Sequence, residues 1–139
     1  MIILDTNVVS EPMRRNGDPA VLEWLDRQAS ESLYLTATSF AKLLLGVEIL
    51  PQGNRKKGLA AALAKLITEL FGSRILPFDE PAAKLYASLV SGARSAGRVV
   101  GVANGQIAAI AAAHDFAVAT RDALPFQAVG VPVINPWEE

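Results

Sequence analysis

Cysteine is absent from the chain, which removes disulfide bridges and thiolate metal sites at the outset. Histidine occurs once, at His114, with no visible set of catalytic partners. No apolar run reaches the roughly 20 residues that a membrane span requires. The longest candidate, residues 107 to 119, is interrupted by His114 and Asp115. Neither sign of charge is in excess. With a net charge of −1 and a pI near 5.8, any contact with nucleic acid has to come from local basic patches rather than a global field. No basic stretch precedes the apolar N-terminal run, so a secretory leader is not indicated and the expected compartment is the cytoplasm. Internal repeats and low-complexity tracts are missing as well.

Apolar residues, by contrast, make up 51% of the chain and charged residues only 19%, with a mean hydropathy of +0.29. That balance excludes disorder and favours a well-buried sheet or a surface used in association. A length of 139 residues fits one domain spanning 1–139 with a real core.

Short apolar strands are expected at 1 to 4, 33 to 36, 74 to 78, 117 to 120 and 131 to 134, alternating with helical segments. Gly17-Asp18-Pro19 opens a short helix, with Asp18 as N-cap and Pro19 at the first helical position. Residues 37 to 50 and 54 to 71 have helical periodicity and are broken by Pro51 and Gly53, which predicts a helical hairpin. Asp79-Glu80-Pro81 opens another helix, and the Ala-rich segment 103 to 113 a further one. This alternation predicts an α/β fold, with a parallel sheet of about five strands covered by helices on both faces. Strand order is not readable from local pattern.

Two acids terminate such strands. Asp5-Thr6-Asn7 follows Met1-Ile2-Ile3-Leu4, and Thr120-Arg121-Asp122 follows the strand at 117. Strand ends of a parallel sheet face the ligand crevice, so Asp5 and Asp122 are candidate ligands for a hard cation such as Mg²⁺ or Mn²⁺. The simpler alternatives are that Asp5 caps the helix beginning near Val8 and that Asp122 is a turn residue. Thr6, Asn7 and Thr120 are supporting candidates, although hydroxyls at strand ends more often satisfy the local backbone.

Five segments together resemble the PIN-domain ribonucleases, and among them toxins of the VapC or FitB type. They are Met1 to Pro12, Leu76-Pro77-Phe78-Asp79-Glu80, Gln106-Ile107-Ala108-Ala109, Ala119-Thr120-Arg121-Asp122 and Val133-Ile134-Asn135-Pro136-Trp137. The likeness covers essentially the whole chain. It implies Mg²⁺- or Mn²⁺-dependent endoribonucleolytic cleavage, a homodimer, and inhibition by an antitoxin protein through which DNA is reached only indirectly. It also implies a quartet of acids, and here the chain departs from the pattern. Lys42 stands where the family has a glutamate, and Asn104 where it has an aspartate.

The magnitude of that departure is large. A quartet carries a formal charge of −4, whereas Asp5, Lys42, Asn104 and Asp122 sum to −1. At an effective dielectric of about 20, one unit charge at about 4 Å is worth on the order of 4 kcal/mol. A millimolar ligand has about that much binding free energy in total. Asn104 retains an amide oxygen that can ligate weakly, while Lys42 is expected to be the damaging change and to sit as an internal cation between Asp5 and Asp122. The expectation is therefore a toxin lineage whose cleavage is impaired in this copy. The rival is an inert fold that still captures its antitoxin in a DNA-bound repression complex.

Among other residues, Arg14, Arg15, Arg98 and Arg55-Lys56-Lys57 are candidate phosphate contacts, although solvated surface charge is the simpler account. Trp24 and Trp137 read as packing residues. Leu85, Tyr86 and Leu89 read as core rather than as a dimer seam.

Overall fold

The apolar run after Met1 forms β1 (Ile2–Leu4), which is the central strand of a five-stranded sheet in the computed structural model, where residues 1–139 are all described. The other strands are β2 (Leu33–Thr36), β3 (Ile75–Leu76), β4 (Ala117–Ala119) and β5 (Val133–Ile134). Their order is β3-β2-β1-β4-β5, and every pairing is parallel. Ile3 lies opposite Tyr34 on one side and Val118 on the other.

Because side chains alternate across a strand, each one feeds two cores. On one face, Leu4, Leu33, Leu35 and Ala119 pack with Val8, Val21, Trp24, Leu63 and Phe71. These come from α1 (Thr6–Ser10), α2 (Pro19–Asp26), α4 (Asn54–Leu70) and the turn after it. On the other face, Ile3 and Val118 pack with Ala82, Ile107, Ile110 and Phe126. Those belong to α5 (Glu80–Ser95), α6 (Val102–His114) and α7 (Leu124–Gln127). The helices on both faces explain why the strands read as continuous apolar runs rather than alternating ones.

The expected helical hairpin is formed by α3 (Ala37–Glu48) and α4, and the Lys56 ammonium closes it by donating to the Glu48 carbonyl oxygen at 2.8 Å. At α6, closeness to α5 depends on Gly105. A Cβ there would come within 2.8 Å of the Tyr86 ring and 3.1 Å of Val90 Cγ2. Tyr86 is therefore a packing residue of the α5/α6 seam, and Trp24 is buried in the first core.

Several boundaries differ from expectation. The outer strands β3 and β5 have only two residues each, because Pro77 and Pro132 adjoin them and lack the N–H that a longer ladder needs. The helix α1 starts at Thr6 rather than near Val8, since Asp5 caps it. A short helix, α7, occupies the connection expected to be a plain loop. No helix is long and apolar enough to cross a membrane.

The topology also singles out one place. From β1 the chain moves outward to β2 and β3, then returns across the sheet to β4 and β5 on the opposite side. The carboxyl ends of β1 and β4 therefore flank the switch point at which open parallel sheets bind ligands.

Candidate functional site

Asp5 leaves β1 at that switch point, its N–H bonded to the Ala119 carbonyl of β4 at 2.9 Å. The side chain is only 4% exposed. Both carboxylate oxygens have partners: Oδ1 accepts the Thr6 N–H at 2.8 Å and Oδ2 accepts the Thr120 hydroxyl at 2.8 Å. The capping role expected for Asp5 is thus fulfilled, and the same carboxylate ties β1 to the end of β4.

Thr120, wholly buried, is the hub. Its single proton goes to Asp5, while its oxygen accepts the Asp122 N–H at 3.0 Å and, at 3.4 Å, the Asn7 amide. Asn7 in turn accepts the Arg121 N–H at 3.3 Å. The expected residues Asp5, Thr6, Asn7, Thr120 and Asp122 are therefore tied into one network that crosses from β1 to β4. Asp122 itself is exposed. Beside it the Arg121 guanidinium stacks over the Trp137 ring at 5.1 Å, so Trp137 anchors the loop rather than standing free.

The other two positions lie on α3 and α6, whose first turns sit at the carboxyl end of the sheet. α3 begins directly at the end of β2, with Thr36 accepting the Ser39 N–H at 3.0 Å. α6 runs back toward the start of β4, so its first turn, holding Asn104, lies at the carboxyl end of the sheet. The Thr38 hydroxyl donates to Gln106 Oε1 at 3.0 Å and joins the two helices. Lys42 is one turn beyond Thr38 and so on the same face of α3. Nothing in local sequence pattern marks the pair Thr38 and Gln106. Ser39, also unforeseen, has a buried hydroxyl with no hydrogen-bond partner.

One expectation fails. Lys42 is exposed, and its ammonium makes neither an ion pair nor a hydrogen bond with Asp5 or Asp122. The physical reason is that the Asp5 oxygens are already served by two uncharged donors, while burying an ammonium costs several kcal/mol. The cation remains in water.

The donor set is poor in acids for a carboxylate-held divalent cation. Mg²⁺ requires several hard oxygens, but no group of three or more His, Cys, Asp or Glu side chains is placed to hold a metal. Lys42 adds a positive charge to the α3 side of the rim.

Comparison with known proteins places this geometry in context. The PIN domain family matches residues 2–131. The chain is 47% identical over 139 residues to toxin FitB of Neisseria gonorrhoeae, covering 100% of both chains. It is 46% identical over 138 residues to VapC ribonuclease Y4jK of Sinorhizobium fredii, covering 99% of each. A solved structure of FitAB bound to an IR36 DNA fragment superimposes with a TM-score of 0.94 at 46% identity, covering 99% of this chain and 96% of that one. With the sheet order, the switch-point acids and a match over nearly the whole length in agreement, the chain belongs to the PIN-domain family.

Proposed function

We propose that this chain is the toxin-type member of a toxin–antitoxin pair, descended from an endoribonuclease, and that it cleaves RNA poorly. The observation that carries the proposal is the composition of the rim. Asp5 and Asp122 remain on the β1/β4 side, joined through Thr120, while the α3 and α6 positions hold Lys42 and Asn104. In a site with four acids, a bound metal would activate water and stabilise charge at the scissile phosphate. Here the residues that remain can orient a ligand but supply too little negative charge to concentrate a divalent ion. The test is cleavage of single-stranded RNA in Mg²⁺ or Mn²⁺ by the wild type and by the Lys42→Glu, Asn104→Asp double variant.

Partner capture is the function left to such a chain, and one further observation favours it. An apolar groove of about 600 Å³ runs between α3 and α4, lined by Phe40, Leu44, Leu45, Leu63 and Ile67 among others. Leu44 is 49%, Leu45 59% and the adjoining Ile49 73% exposed. The relative FitB is a toxin known structurally in the FitAB assembly with DNA. By that analogy the groove takes an apolar segment of an antitoxin, and DNA is reached through that partner. A homodimer belongs to the same proposal. Copurification of the chain with the product of an adjacent small reading frame, lost in Leu45→Asp, tests it; retention of the partner by that variant would rule the groove out.

A further inference from the structure

Arginines separated by some forty positions in the chain meet at a second place. Ser10, Met13, Arg14, Arg15, Asn16, Arg55 and Leu59 line a surface pocket of about 620 Å³ between the end of α1 and the start of α4. We infer that this pocket is a subsite for a backbone phosphate of single-stranded RNA. The inference rests on the RNA-directed lineage proposed above and assigns to it a contact distant from the four rim positions.

The pocket is built, not incidental. Glu11, only 3% exposed, accepts the Asp18 N–H at 2.9 Å and pairs with Arg14 at 3.3 Å, which holds the loop between them in one shape. Gly17 permits the close return of that loop, since a Cβ there would lie 2.7 Å from the Glu11 carbonyl oxygen. A buried carboxylate thus positions Arg14, and its charge is spent on that single guanidinium. Arg15 and Arg55 are exposed and have no carboxylate partner within ion-pair distance. Lys56, by contrast, is committed to the Glu48 carbonyl, so the Arg55-Lys56-Lys57 run divides into one structural cation and two free ones.

Local electrostatics point the same way. α4 opens at Gly53 with no side-chain cap and no acid in its first turn, where basic residues oppose the positive end of the helix. Cations crowded there are relieved by a bound anion, and guanidinium forks match phosphate oxygens in a bidentate manner. The pocket and Asp5 lie at opposite ends of α1. α1 links Asp5 to Ser10 in five residues, about 7.5 Å at 1.5 Å per residue, and the Ser10 hydroxyl donates back to the Asn7 carbonyl. An acidic protein segment is the competing occupant, and the RNA-directed lineage proposed above, with the 46% identity to a VapC ribonuclease, favours RNA.

The experiment is fluorescence-anisotropy titration of a short labelled single-stranded RNA in EDTA, over a range of salt, with the wild type, Arg15→Gln/Arg55→Gln, Arg15→Lys/Arg55→Lys and Lys84→Gln. Loss of one phosphate contact from the glutamine variant should weaken binding about tenfold and reduce the salt slope by about 0.7. The lysine variant should lose less, and Lys84→Gln, at an exposed position of α5, nothing. Equal affinity and slope for wild type and glutamine variant, with RNA binding intact, would overturn the pocket and leave the RNA lineage standing. No RNA binding by the wild type would overturn both. A polyglutamate peptide that competes as well as RNA, and loses as much in the glutamine variant, would overturn the RNA assignment in favour of an acidic protein segment.

Discussion

The two halves of the rim obey different constraints. On the β1/β4 half, Asp5 is buried and serves as helix cap and hydrogen-bond acceptor together. On the α3/α6 half, Lys42 is in water and no hydrogen bond depends on it. A change at Asp5 would orphan the Thr6 N–H and the Thr120 hydroxyl, whereas a change at position 42 leaves the fold indifferent. The residue at position 42 can therefore change without any loss of structure. Selection for folding alone would preserve Asp5 and not position 42.

The sharpest way to break this contrast is to restore charge on the helical half. Lys42→Glu with Asn104→Asp should raise Mg²⁺-dependent RNA cleavage by about a hundredfold or more, given about 4 kcal/mol per unit charge at short range and tenfold per 1.36 kcal/mol. Stability in urea should stay within about 0.5 kcal/mol, as for surface substitutions. Equal cleavage rates for wild type and double variant would end the account of impairment.

Next in size is the sheet half. Asp5→Ala should cost about 2 to 3 kcal/mol in urea unfolding because two donors lose their acceptor. Asp122→Ala, with an exposed side chain, should cost about 0.5 kcal/mol or less. Similar losses at the two acids would remove the distinction between a structural and a surface carboxylate.

Smaller effects sharpen the helical half. Gly105→Ala forces a methyl against Tyr86, with a packing cost of about 1 to 3 kcal/mol set against about 1 kcal/mol gained in helix propensity. The net loss, near 1 kcal/mol, should shrink when Tyr86→Leu is added. Ser39→Ala removes a buried hydroxyl that has no partner, and should stabilise by up to about 1 kcal/mol in the same assay.

Much of the fold is legible in the sequence. Continuous apolar runs identified the strands, Asp18-Pro19 and Asp79-Glu80-Pro81 marked helix starts, and strand-end position singled out Asp5 and Asp122. Such signals are local, and local signals carry element type. Strand order, the Thr38–Gln106 contact and the meeting of Arg15 with Arg55 join distant parts of the chain, which no window of sequence contains. The short helix α7 was missed because its four residues include a proline and show no full turn of periodicity. Lys42 was expected indoors on charge attraction alone; the hydration of an ammonium, weighed against an aspartate already satisfied, sends it outward.

The brevity of β3 and β5 has a consequence for assembly. A sheet whose flanking ladders are two residues long offers almost no template for another chain to zip onto, so growth by edge pairing is closed off. Any lasting companion must be met side chain to side chain, on helical faces, where shape and charge can discriminate one guest from another.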